Sequence, residues 1–206
     1  MLGSGGAPSG AGGTGGGGGG TNGGSGGGNG GKPAGGGAGS GAEGGSQGAG
    51  GGATGFALTS PTLFAGMMFP AENTCAGADV SPAFDWTAGP AATQSYALVL
   101  TDMFQGLVHW VLWDIPTATR SLPAMLATTP VLTTPAGARQ MPVMGMGYTG
   151  PCPSGTLHTY QFDLHAVDAA MLPVTAGAST TQLKALVMSH SLAKASLSAP
   201  SSAKRP

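Results

Sequence analysis

Asp102, His109 and His158 are the side chains of this sequence whose types could combine into a chemical site. One carboxylate and two imidazoles are the ligand set of a metal centre with open coordination positions. No two of them stand at a local chelating interval, so no metal is expected, and nothing implies a cofactor. Ser154 and Cys152 lie close to His158, but no nucleophile elbow and no positioned acid accompany them. No catalytic residue is therefore expected. On spacing alone His109, inside an apolar strand, reads as a hydrogen-bonded core residue, and His158 sits beside a turn. His165 reads as a surface residue and His190 as part of a helix's apolar stripe.

Strands must position these groups. Phe56 to Ser60 opens the series, and Tyr96 to Asp102 follows, with Tyr96, Leu98, Leu100 and Asp102 on one face. Leu107 to Ile115 places His109, Val111 and Trp113 opposite Trp110, Leu112 and Asp114, and Pro116 ends it. Tyr160 to Asp168 alternates most regularly, with Tyr160, Phe162, Leu164 and Ala166 toward a core and Gln161, Asp163 and His165 toward water. Extended back by two residues, that strand gives His158 the inward parity of Tyr160. Ser179 to Gln182 has the spacing of a capping box, and Leu183, Leu186, Val187, His190 and Ala193 continue at helical spacing. Pro70 to Pro82 and Arg120 to Pro153 read as turn-rich. The pattern predicts a mainly β, antiparallel domain with a C-terminal helix.

Glycine divides the chain. Residues 1–54 are mostly Gly with Ala, Ser, Thr and Asn, and Lys32 and Glu43 are their charged residues, a composition that cannot bury enough apolar surface to offset ordering entropy. They read as a disordered, low-complexity tether, which as a flexible coil of about 50 residues would span roughly 40 Å. Residues 55–200 read as the folded domain and 201–206 as a disordered tail. Arg120, Arg139, Lys184, Lys194, Lys204 and Arg205 are too scattered to form a patch for nucleic acid. No apolar run approaches the roughly 20 residues that cross a bilayer as a helix. Met1 to Ser4 lacks the basic and apolar regions of a signal peptide, which taken literally implies the cytoplasm. A Gly-rich stretch ahead of a compact domain with two cysteines instead fits an exported protein, periplasmic or surface-tethered, with its export signal upstream of this start. Export is the expectation and the cytoplasm the alternative.

Short motifs occur in a telling order: Ser81-Pro82 before Asp85-Trp86, then Asp102, His109-Trp110, Ile115-Pro116, Gly147-Tyr148-Thr149-Gly150-Pro151-Cys152-Pro153, and His158-Thr159-Tyr160-Gln161-Phe162. The series resembles the phosphatidylethanolamine-binding family, in its bacterial branch related to Raf kinase inhibitor protein, over nearly all of residues 56–198. That resemblance implies an antiparallel β sandwich whose surface pocket takes phosphate-like or carboxylate anions, such as a phospholipid head group. It implies that Asp102, His109, His158 and Tyr160 line the pocket, and that the Gly150 to Pro153 loop, Cys152 included, turns backbone N–H groups toward the anion. Three departures stand out, one of them Ser154 in place of a second Pro. Met103 to Gly106 shorten the segment between Asp102 and His109, and Thr159 stands where the family has Arg, which removes a cation.

Cys75 and Cys152 lie in Pro/Gly-rich loops flanking that pocket. In an exported protein they favour a bridge worth on the order of 4 kcal/mol, and in a reducing cytosol they would be free thiols. The function expected is noncatalytic binding of a small anionic ligand. The alternative is a protein-interaction module acting as a protease or kinase inhibitor.

Overall fold

The fold is seen in a computed structural model that describes residues 55–206; the expected tether, residues 1–54, lies outside the described residues. The strands are β1 (Leu58–Thr59), β2 (Phe84–Trp86), β3 (Ser95–Asp102), β4 (Val108–Pro116), β5 (Ser121–Leu122), β6 (Val131–Thr133), β7 (Ala136–Pro142), β8 (His158–Val167) and β9 (Ser191–Ser201), with helix α1 (Thr180–Ser189) between the last two. One sheet runs β6-β7-β4-β3-β8-β9 and a smaller one β1-β2-β5, with every pairing antiparallel.

The large sheet is covered on both faces. Toward the small sheet it turns Tyr96, Leu98 and Leu100 of β3, Trp110 and Leu112 of β4, and Tyr160, Phe162 and Leu164 of β8, which pack with Phe84, Trp86 and Leu122. Burying each such large apolar side chain is worth about 1.5–3 kcal/mol. The opposite face carries Ala97, Val99, Val111 and Trp113, and Leu183 and Val187 of α1 together with Leu172 cover it.

That second layer corrects the reading of β8 as wet on one side. Asp163 and His165 are buried. His165 sits beneath the cover with Nδ1 2.9 Å from the Ser191 hydroxyl, and Asp163 accepts from Ser196, Gln161 and Lys194.

The capping box forms as read, with Ser179 and Gln182 bonded reciprocally. The helix nevertheless stops at Ser189, so His190 is a half-exposed cap paired with Asp168 at 2.7 Å rather than a core residue. Ala193 belongs to β9, an edge strand along the whole of β8 that tolerates Pro200 because its outer side has no partner strand. Ser201 is buried opposite His158, so the folded chain extends past residue 200 into the expected tail. The stretch read as turns from Arg120 to Pro153 contains β5, β6 and β7. No helix among the described residues is long and apolar enough to cross a membrane.

Candidate functional site

The central strands β3, β4 and β8 bring Asp102, His109, His158 and Tyr160 to one end of the large sheet, where Asp102 pairs directly with Tyr160. His109 reaches the group through a β-bulge. Leu100 pairs with Trp110 and Thr101 with Val108, which leaves His109 as the extra residue on β4. The bulge swings the imidazole off the parity of Val111 and Trp113 and sets it edge-on to Tyr160, ring centres 5.3 Å apart.

Asp102 ties the site together. Its Oδ2 lies 2.7 Å from His158 Nδ1, and its Oδ1 accepts from the backbone N–H of Phe104 at 2.8 Å and of Gln105 at 3.2 Å. The backbone of Asp102 closes the same turn, accepting from Gly106 N–H and donating to the Leu107 carbonyl, each at 2.8 Å. One carboxylate therefore fixes both the imidazole and the shortened turn, and the turn lays the Phe104 ring over His158 with centres 4.5 Å apart. Burial pushes the Asp102 carboxyl up, but the His158 and backbone hydrogen bonds outweigh it and hold the pKa below the ordinary carboxylate value.

Both ring nitrogens of His158 are engaged. Nε2 lies 3.0 Å from the Thr156 hydroxyl, which donates to the Pro153 carbonyl at 2.7 Å. His158 is thus a buried positioning group whose outward contact is Thr156. His109 differs. Its Nδ1 is buried without a hydrogen-bond partner among the described residues. Burial pulls its pKa below the ordinary imidazole value, against the charges of Asp102 and Asp79 and the nearby Gly150 and Thr149 backbone. Burial, and then the Asp102 charge, push the Tyr160 phenol well up, so it stays a donor.

The Gly150 to Pro153 loop is built differently from the expectation that its N–H groups face an anion. Gly150 N–H donates to Asp79 Oδ1 at 2.8 Å, and Pro151 and Pro153 have none to give. Cys152 N–H, near the Tyr160 oxygen, is the amide left to the site. Gly150 is required sterically, since a Cβ there would stand 2.2 Å from the Asn73 carbonyl oxygen. That carbonyl also accepts from the Tyr148 hydroxyl at 3.0 Å. Cys75 and Cys152 are bridged across 77 residues, and Cys75 N–H donates to the Pro151 carbonyl at 3.1 Å. The loop is braced from three directions.

The residues that sequence reasoning missed here are Asn73, Asp79, Phe104 and Thr156. The shortened turn after Asp102 was the signal for Phe104, and Thr156 stands two residues before His158. Nothing local points to Asn73 or Asp79, which reach the loop from more than 70 residues away. Among the described residues no group of His, Cys, Asp and Glu, Asp102, His109 and His158 included, is arranged to hold a metal ion.

A family model described as phosphatidylethanolamine-binding protein matches residues 59–202. The chain belongs to the phosphatidylethanolamine-binding protein family. It is 33% identical over 137 residues to a UPF0098 protein of Aquifex aeolicus, covering 63% of this chain and 78% of that one. It is 36% identical over 121 residues to the lipoprotein candidate LppC of Mycobacterium tuberculosis, covering 55% of this chain and 56% of the relative. The fold superposes on Escherichia coli YbcL, described as a member of the mammalian PEBP family, with a TM-score of 0.61 and 25% identity over 72% of this chain and 99% of that one. CT736 of Chlamydia trachomatis, described as a phosphatidylethanolamine-binding protein homologue, gives a TM-score of 0.56 at 24% identity, covering 72% of this chain and 97% of that one.

Proposed function

We propose that this domain binds a small oxyanion, the phosphate of a phospholipid-type head group or a carboxylate, without covalent chemistry. The observation that carries the reading is the buried, unpartnered His109 Nδ1. Buried polar nitrogens are almost always hydrogen-bonded, and one held beside Tyr160 and Asp102 in a braced frame asks for a ligand atom. The Tyr160 side chain and the Cys152 N–H lie beside the same point. Asp102 and His158 hold the frame rather than touch the ligand. The Thr156 hydroxyl gives its proton to the Pro153 carbonyl, which fits binding better than nucleophilic attack.

Nuclear magnetic resonance of ring-labelled histidine tests this. Titrated phosphoethanolamine shifts the His109 nitrogens first and most; unmoved His109 signals at saturation refute the assignment.

A protein-interaction role as a protease or kinase inhibitor is the second reading, favoured by Phe104, Leu157, Met144 and Met146, which are all more than half exposed around the site. Export, periplasmic or surface-tethered, is supported by the Cys75–Cys152 bridge and by the likeness to a lipoprotein candidate.

A further inference from the structure

An anion site needs positive charge, and the groups described so far supply little. Asp102 and Asp79 are carboxylates, and burial holds His109 toward its neutral form.

Most cations among the described residues are engaged elsewhere. Arg120 donates to the Thr117 and Thr119 carbonyls and lies over the Tyr96 ring. Arg139 lies over Trp113. Lys184 donates to the Thr101 hydroxyl, and Lys194 pairs with Asp163 on the far face of the sheet. Lys204 and Arg205 remain, both exposed.

Lys204 is next to the site. Beyond Ser201, which pairs with His158, the chain runs beside the Ser154 to Leu157 turn, where Gly155 N–H approaches the Ala203 carbonyl at 3.4 Å. The Lys204 stem crosses Gly155, its Cδ 3.8 Å from where a Gly155 Cβ would stand. Gly155 is followed directly by Thr156, the hydroxyl bonded to His158. A lysine stem packed on a glycine keeps its ammonium in water beside the turn that carries Thr156.

We propose that Lys204, carried by the C-terminal segment, is the fixed positive charge of the anion site. The inference rests on the anion-binding reading and adds a residue that no motif marks. It makes ligand binding depend on the last few residues of the chain, and it assigns part of the affinity to a screened, exposed charge.

Calorimetric titration of phosphoethanolamine into the full chain tests it, comparing wild type with Lys204→Glu, Lys204→Arg and, as a charge-matched control on the other sheet face, Lys184→Glu. The expected result is a loss of about tenfold or more for Lys204→Glu, at most about threefold for Lys204→Arg, and little change for Lys184→Glu. The wild type loses affinity as salt rises from 50 to 300 mM, and Lys204→Glu loses less. Wild-type affinity in Lys204→Glu, or an equal loss in Lys184→Glu, overturns the role of Lys204. If His109→Ala still abolishes binding in that case, the anion-binding reading itself stands. A wild type that binds no phosphoethanolamine sinks both.

Discussion

Acid should unfold this domain through a histidine outside the binding site. His165 is 3% exposed beneath the second layer, with Nδ1 on the Ser191 hydroxyl and Nε2 buried without a partner. Burial first, and then the charges of Lys194 and Lys184, pull its pKa from 6.5 down to about 4, with Asp163 opposing. A histidine whose folded pKa is depressed keeps the native state neutral. Its contribution is intact above the unfolded value and is lost as the pH falls through 6.5 toward 4 and below. The full difference is on the order of 3 kcal/mol, and about 2 kcal/mol of it disappears between about pH 7 and pH 5. Urea unfolding of wild type and His165→Leu at those two pH values isolates the effect, because the titration of His109, Asp102 and Asp114 is common to both proteins and cancels. The wild type should lose about 2 kcal/mol more than the variant on acidification. Equal losses would show that His165 charges in the folded state at no cost, and the argument from burial would fail.

Other outcomes follow from the same geometry. Reducing the Cys75–Cys152 bridge, which closes 77 residues, should cost on the order of 4 kcal/mol in the chain-entropy model, read from urea unfolding with and without reductant. Gly150→Ala pushes a Cβ against the Asn73 carbonyl and should destabilise the domain by roughly 1–3 kcal/mol; an unchanged melting temperature would mean that the loop is not braced. Removing residues 1–54, which hold no aromatic side chain, should leave the melting temperature within about a degree or two, and a drop of several degrees would show that they pack on the domain.

Much of this architecture could be read in advance where side chains alternate strongly. β3, β4 and β8 carry Tyr, Leu, Trp and Phe at period two, and their faces follow. β9 escaped because Leu197 is its one large inward residue; Ala195, Ala199 and Ser201 are small or polar, and their burial comes from pairing with β8 rather than from hydropathy. The helical spacing of His190 and Ala193 ran past the true end of α1 for the same reason. His165 was misjudged because a polar residue on an alternating strand reads as wet until a second layer is known to cover it. At the site, the nearness of Asp102, His109, His158 and Tyr160 follows the order of the motifs, and the turn contacts of Asp102 with Phe104 and Gln105 do not. The bulge that turns His109, the Asp79 bond that occupies Gly150 and the Lys204 stem on Gly155 are contacts between distant segments, and no local pattern announces them.

The most direct test of the central claim is calorimetric titration of phosphoethanolamine against wild type, His109→Ala and His158→Ala near pH 5.5 and pH 8. A bound anion favours the charged imidazole and so raises the pKa of His109, which tightens binding on the acid side, and comparison with the variant removes the change in the ligand's own charge. His109→Ala should cost roughly 1–3 kcal/mol, more at the lower pH, and His158→Ala should weaken binding at both values by releasing Asp102 and Thr156. Equal affinity for all three proteins at both pH values would contradict the claim.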